Sequence, residues 1–206
     1  PDVVAAHSYL KGTWPPQKKS PLLYLRAIKH LAAAHKRAYQ VLKAYDHNHQ
    51  VGVANHQVAF EVLRPTLINH ILKSLRNFFW NKSFLRKIKG YQDFIGVNHY
   101  HRNCIDNGYN KNPNLIQTDF GWEYSPESLT QALLELKPYH LPIYITENGL
   151  ADAKDTLRQD FIPRALQSVA RAIEAGVDVH GYFYWSLLDN FEWDKGFWLR
   201  FGLIHV

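Results

Sequence analysis

Residues Pro142 to Leu150 read PIYITENGL: a proline, a short apolar and β-branched run, then an acid, an amide and a glycine. The run has the length and composition of a buried strand. Its polar tail sets Glu147, Asn148 and Gly149 at the carboxyl end of that strand. The same arrangement recurs along the chain. Val51 to Ala54 runs into Asn55 and His56, Asp93 to Asn98 (DFIGVN) runs into His99 and Tyr100, and Val179 to Ser186 (VHGYFYWS) leads to the polar-aromatic stretch Asp189 to Trp193.

Helical patterns fill the intervals. Ser20-Pro21 has the form of an N-cap followed by proline at the first helical position. Leu25, Ile28, Ala32, His35, Tyr39 and Leu42 then recur at spacings of three and four, one face of a long helix ending near Tyr45. Leu67 to Lys89 reads as one or two basic helices. Ser125-Pro126-Glu127 opens another, to about Leu136, and Asp155 to Gly176 a further one, with Pro163 either beginning its regular part or kinking it. His101 to Gly121, rich in Asn and Gly, reads as a loop. Alternation of this kind predicts an α/β chain with a parallel sheet and crossover helices. Polar residues gathered at the carboxyl ends of strands suit both closed barrels and open doubly wound sheets. No glycine-rich turn follows any strand, which counts against a nucleotide site. The chain offers about four strand-helix units, half of an eightfold barrel.

A chain of 206 residues is one ordinary domain or a pair of small ones. With 46% apolar, 14% aromatic and 20% charged residues, the composition excludes a disordered tail, a collagen-like chain and a coiled coil. No run approaches the roughly 18 apolar residues of a membrane helix, so a soluble chain without a membrane partner is expected. Cys104 is the only cysteine, which excludes an internal disulfide and a cysteine-rich zinc site. Lys plus Arg exceeds Asp plus Glu by 24 − 18 = 6, and seven of those 24 basic residues lie between Arg64 and Lys89, a stretch with no acid. The chain starts at Pro1 and contains no methionine. The expectation is a piece of something longer, whose compartment the sequence leaves unread; the cytoplasm is favoured.

Two features could carry chemistry. Glu147, at a strand end, has the position from which a carboxylate can attack a sugar carbon or steer a proton; a helix cap or loop ion pair is the plainer alternative. Nine of the twenty residues from Tyr182 to Phe201 are aromatic, interspersed with Asp189, Asn190, Glu192 and Asp194. Sugars present flat apolar faces edged by hydroxyls, so a sugar site combines indole platforms with carboxylates and amides. Tyr182 and Tyr184 alternate with Phe183 and Trp185, so one pair must face the helices, and part of this cluster is ordinary core.

ITENG at Ile145 to Gly149, GYFYWSLLDNFEW at Gly181 to Trp193 and RFGLIHV at Arg200 to Val206 together resemble glycoside hydrolase family 1, the β-glucosidase-like retaining enzymes on a (β/α)8 barrel. Asp2 to Pro16 resembles the segment after that family's fourth strand, DFIGVNHY its sixth strand, and DFGWEYSPESL at Asp119 to Leu129 the loop and helix that follow. The resemblance spans essentially the whole chain and implies the C-terminal half of a TIM barrel over residues 1–206, truncated at both ends. It implies that Glu147 is the catalytic nucleophile, Tyr100 a tyrosine that hydrogen-bonds and tunes it, and Asn98 its polar neighbour. Trp185 matches the platform under the sugar, Glu192 and Trp193 the pair gripping its outer hydroxyls, and Phe201 a lining residue. Asn55 would sit near the acceptor side.

The family's general acid/base is a glutamate in an Asn-Glu-Pro motif, and Pro1 matches that proline, so the glutamate itself would lie outside this chain. Glu123, in a helix-approach loop, and Glu192, assigned to substrate, are poor substitutes. His99 stands where the family usually has tyrosine, a change expected to affect packing. Glu192 would repel a phosphate at the sugar's outer edge, so an unphosphorylated β-glucoside or close epimer is the expected substrate, with no metal or organic cofactor. The missing N-terminal half of the barrel is the expected partner, and self-association through open sheet edges is expected in its absence. A sugar-binding half-barrel without turnover is the alternative.

The weaker signals have plain readings. The stretch from Arg64 to Lys89 carries Phe78, Phe79, Trp80 and Phe84, and basic residues interleaved with aromatics can bind nucleic acid; a barrel helix with a solvated cationic face and an apolar inner face is the expected form. His47-Asn48-His49 and His99-Tyr100-His101 have metal-ligand spacing without a third ligand. Cys104 reads as an ordinary free thiol.

Overall fold

Ser20 is extended, and its hydroxyl accepts the Leu23 N–H at 3.4 Å, so the predicted cap starts a helix of 25 residues at Pro21. The computed structural model describes residues 1–206. In chain order the elements are α1 (Asp2–Ala5), continued by a widened turn (Ala6–Lys11), α2 (Pro21–Tyr45), β1 (Gly52–His56), β2 (Ala59–Val62), α3 (Leu67–Asn77), α4 (Ser83–Lys87), β3 (Phe94–Asn98), β4 (Arg102–Ile105), α5 (Ser128–Leu134), β5 (Ile143–Asn148), α6 (Arg158–Glu174) and β6 (Val179–Tyr184). Four strands form one parallel sheet in the order β1-β3-β5-β6. Each connection crosses over through helical segments, as the alternation predicts.

The two faces of this sheet differ. Ile95, Val97, Ile143 and Ile145 are fully buried against the helices, packing with Phe84, Leu129, Leu133 and Phe161. Each such side chain contributes about 1.5–3 kcal/mol. The residues between them point the other way, where Phe94, Tyr144, Thr146, His180 and Phe183 line an open hollow of about 490 Å³. Tyr182 and Tyr184 pack on the helix side, which settles the alternation left open in β6. Strands β1 and β6 are the outer strands, each paired on one side only.

Three details differ from the sequence expectations. A second, two-stranded parallel sheet joins β2 to β4, with Ala59 opposite Arg102 and Val62 opposite Ile105. Strand β4 lies inside the stretch predicted as loop. Its polarity is accounted for by pairing: Arg102 bonds Glu61 at 2.7 Å and Glu123 at 2.7 Å. Second, the basic stretch forms two helices, α3 and α4, around a widened turn at Phe78–Lys82, one of its two expected forms, but its expected apolar inner face is only partly realised. Phe84, Leu85 and Ile88 turn inward, but Leu67, Ile68, Leu75 and Phe79 are exposed. Helix α3 seats through buried amides instead: Asn69 donates to the Arg64 carbonyl at 2.9 Å, and Asn77 accepts from Asn81 at 2.7 Å. Third, only Ile28 and Ala32 of the predicted α2 face are fully buried; His35 and Tyr39 are held by Tyr91 and Asp93, and Leu25 and Leu42 are exposed. Pro163 lies inside α6. No helix is long and apolar enough to cross a membrane.

Candidate active site

Strand β5 carries Glu147 to the carboxyl edge of the sheet, in register with Asn98 at the end of β3. The Tyr100 hydroxyl donates to Glu147 Oε2 at 2.6 Å. Burial pushes the Glu147 carboxyl above its ordinary range, while hydrogen bonds from Tyr100 and Asn98 pull it back. Burial and the Glu147 charge push the Tyr100 phenol well up, so it remains a donor. The residues beside Glu147 are clamped across strands. Thr146 donates to Asn98 Oδ1 at 2.6 Å, and Asn148 donates to the His99 carbonyl at 2.6 Å while accepting from Tyr182 at 2.9 Å. Gly149 is required by a close approach: a Cβ there would overlap the Trp185 carbonyl.

The segment after β6 supplies the opposite side. Asp189 anchors it by accepting the Gly202 N–H at 2.9 Å and bonding Arg200 at 3.1 Å. Burial raises the Glu192 carboxyl, the Asn190 amide opposes that, the Glu147 charge raises it further and the Trp185 indole lowers it. Trp193 stacks on Trp14, ring centroids 4.5 Å apart at 13°.

Glu147, Tyr100, Asn98, Glu192, Trp193 and Phe201 line one cavity of about 510 Å³, a size usual for small-molecule sites. Trp185 does not line it; it packs against the cluster of Ala151, Leu199 and Phe201, with its indole turned to Glu192. Asn55 is a correction. It is fully buried, opposite Val97 on the helix side of the sheet, and its amide donates to the Asn81 carbonyl at 3.3 Å. The next residue, His56, is opposite Asn98 and reaches the cavity in its place. Side-chain alternation along the strand makes the difference, and the register that decides it is not written in the residue types.

His99 and His101 also diverge. His99 is buried between the Gln57 carbonyl and the Ser128 hydroxyl, both at 2.8 Å, and burial lowers its pKa to about 4. His101 faces the cavity, stacked on Trp122 at 4.8 Å, with its pKa lowered to about 3. No three His, Cys, Asp or Glu side chains gather as a metal-holding group. Glu123 stands outside the cavity, its side chain 1% exposed and held by Arg102. Cys104 is buried, and burial pushes its thiol up to about 11. His56, His101, Trp14, Trp80 and Trp122 are cavity residues that sequence reasoning missed. For His56 and His101 the available signal was a position beside a strand end; Trp14, Trp80 and Trp122 lie in turns and a loop and carried no such signal.

Known proteins share this architecture and this sequence. The chain aligns over its whole length, at 33% identity, with a β-galactosidase of Sulfolobus acidocaldarius, covering 49% of it. A 1,4-β-D-glucan glucohydrolase of Thermotoga neapolitana is 28% identical, with 60% of it covered. The β-glycosidase structure from Pyrococcus horikoshii superposes on the whole chain with a TM-score of 0.90 at 31% identity, and 54% of that chain is covered. The chain thus spans about half the length of the curated relatives it matches, and its fold is the half of a (β/α)8 barrel that the strand-helix order anticipated. Residues 65–206, which hold Glu147, Tyr100 and the segment after β6, match the model of glycosyl hydrolase family 1, and the chain belongs to that family.

Proposed function

We propose that Glu147 is the nucleophile of a retaining β-glycosidase centre acting on β-glucosides or their close epimers. The observation that carries this reading is the 2.6 Å hydrogen bond from Tyr100 to Glu147, made in the cavity that also presents Glu192 and Trp193. The relatives named β-galactosidase and 1,4-β-D-glucan glucohydrolase support the reaction class. Glu147 forms a bond from its carboxylate oxygen to the anomeric carbon as the bond to the leaving oxygen breaks, and that oxygen takes a proton from an acid. Water then attacks the same carbon, returns a proton to that group and frees Glu147, with net retention. The route balances without a metal or organic cofactor.

Retention requires a second carboxylate about 5–5.5 Å from the first. Glu192 is assigned to the sugar's hydroxyls, Asp194 is paired with Lys195 at 3.5 Å, and Glu123 is held by Arg102 outside the cavity. On this reading none of these three carboxylates serves as the acid/base, and a residue from another part of the barrel would have to supply it. That shortage favours sugar binding without turnover as the second reading. An activated 2-deoxy-2-fluoro-β-glucoside separates the two, since its leaving group needs no acid and its glycosyl-enzyme persists. Peptide mapping by mass spectrometry should find the sugar on Glu147 and no label in Glu147→Gln. Label elsewhere would overturn the nucleophile assignment; tight binding without label would favour the binding module.

A further inference from the structure

We propose that the cavity accepts a β-glycoside whose leaving group carries an anionic substituent (carboxylate, sulfate or phosphate) held by Lys11 and Arg76. The proposal rests on the reading of Glu147 given above and names the substrate class of that site.

Both sides of the cavity run from a carboxylate to a cation. On one, Glu147 bonds Tyr100, whose ring lies 6.5 Å from His56; His56 accepts the Trp80 indole N–H at 3.1 Å, and the Arg76 guanidinium lies 5.6 Å from the Trp80 ring. On the other, Trp193 beside Glu192 stacks on Trp14, Trp14 lies 4.5 Å from His7, and the Lys11 ammonium donates to His7 Nε2 at 3.3 Å. Lys11 and Arg76 both line the cavity. Its third strong cation, Lys195, is paired with Asp194, but neither Lys11 nor Arg76 is in an ion pair. Burial and the Arg76 charge both lower the Lys11 pKa, which places the two cations within each other's field.

Two like charges that face one space without a counter-ion raise each other's energy, and an anion entering between them relieves it. The carboxylates at the other end do not supply that anion, because Tyr100, Asn190 and Trp185 hold them at the sugar end. A glycoside bound with its ring at Glu147, Glu192 and Trp193 directs its leaving group into the remaining space. A planar anion there would meet a guanidinium already stacked on Trp80 and Tyr109 and so preordered. Arg76 belongs to the acid-free basic stretch, so part of that stretch's charge excess serves the cavity.

The test uses two hydrolysis-resistant thioglycosides, 4-carboxyphenyl 1-thio-β-D-glucoside and its neutral carboxamide, with benzoate and benzamide as sugar-free controls. Affinities are read by calorimetry on the full chain. The carboxylate should bind about tenfold more tightly than the carboxamide, as for one charge-assisted contact in a partly open site. That ratio should shrink with added salt and fall toward one in Lys11→Gln and in Arg76→Gln, while Arg76→Lys, which keeps the charge but loses the preordered planar fork, retains only part of it. Equal binding of the two thioglucosides, or a preference unchanged in both charge-removing variants, would overturn the proposal and leave the sugar reading standing. Benzoate binding as tightly as the carboxylate thioglucoside would show an anion site that gains nothing from a sugar. That would overturn both the sugar reading and the leaving-group assignment.

Discussion

Replacing Tyr100 with phenylalanine removes one hydroxyl and leaves the ring packing against Trp122 and Phe201 in place. The lost interaction is a 2.6 Å hydrogen bond to a half-buried carboxylate. A hydrogen bond to a charged group is worth about 1.5–3 kcal/mol, and one pH unit corresponds to about 1.4 kcal/mol. Because Tyr100 stabilises the ionised form, the already raised Glu147 pKa should climb further in Tyr100→Phe. Carbon-13 NMR of the chain labelled at the glutamate carboxyl carbon reads this directly, with Glu147→Gln assigning the resonance. A shift smaller than about 0.3 unit, or a downward one, would refute the idea that this bond sets the ionisation of Glu147.

Other outcomes follow from the same structure. Arg102→Met leaves the buried Glu123 carboxylate without its cation and should cost about 3–5 kcal/mol in urea unfolding; an unchanged midpoint would remove Arg102 from the account of why β4 forms. His99, with its folded pKa lowered to about 4, stays neutral while the unfolded chain takes up protons. Its contribution is therefore complete above about pH 6.5 and lost as pH falls toward 4, about 3 kcal/mol in all. Melting temperatures across that window should decline, and His99→Gln should flatten the decline. With β1 and β6 paired on one side only, the chain alone should self-associate in light scattering; a sharp monomer peak at all concentrations would count against edge pairing.

The four strands of the main sheet were legible because each is an apolar run ending in polar residues, and the Ser20-Pro21 cap because its chemistry is local. Strands β2 and β4 were not, because each is only four residues long, β4 is half polar, and their stabilising partners, Arg102 with Glu61 and Glu123, are 41 and 21 residues apart. Glu147, Tyr100 and Glu192 stood out through their motifs, and the geometry brings them to one cavity. Asn55 was misplaced because alternation is visible in a sequence while register is not: the choice between Asn55 and His56 depends on which of Val97 and Asn98 lies opposite. The stacking of Trp14 on Trp193 was equally invisible, since it joins residues from opposite ends of the chain.

The cross-strand clamps behind Glu147 bear on how such a site can diversify. His99 ties β3 to the Gln57 carbonyl and to Ser128, Thr146 ties β5 to Asn98, and Asn148 ties β5 to both His99 and Tyr182. All of these bonds lie beneath the segments that shape the mouth of the cavity. The position of Glu147 is thus referenced to its neighbouring strands. The segments around the cavity mouth, with Lys11 at the end of its helical turn and Arg76 on α3, can exchange side chains and so change what the cavity admits while the Glu147 carboxylate stays where it is.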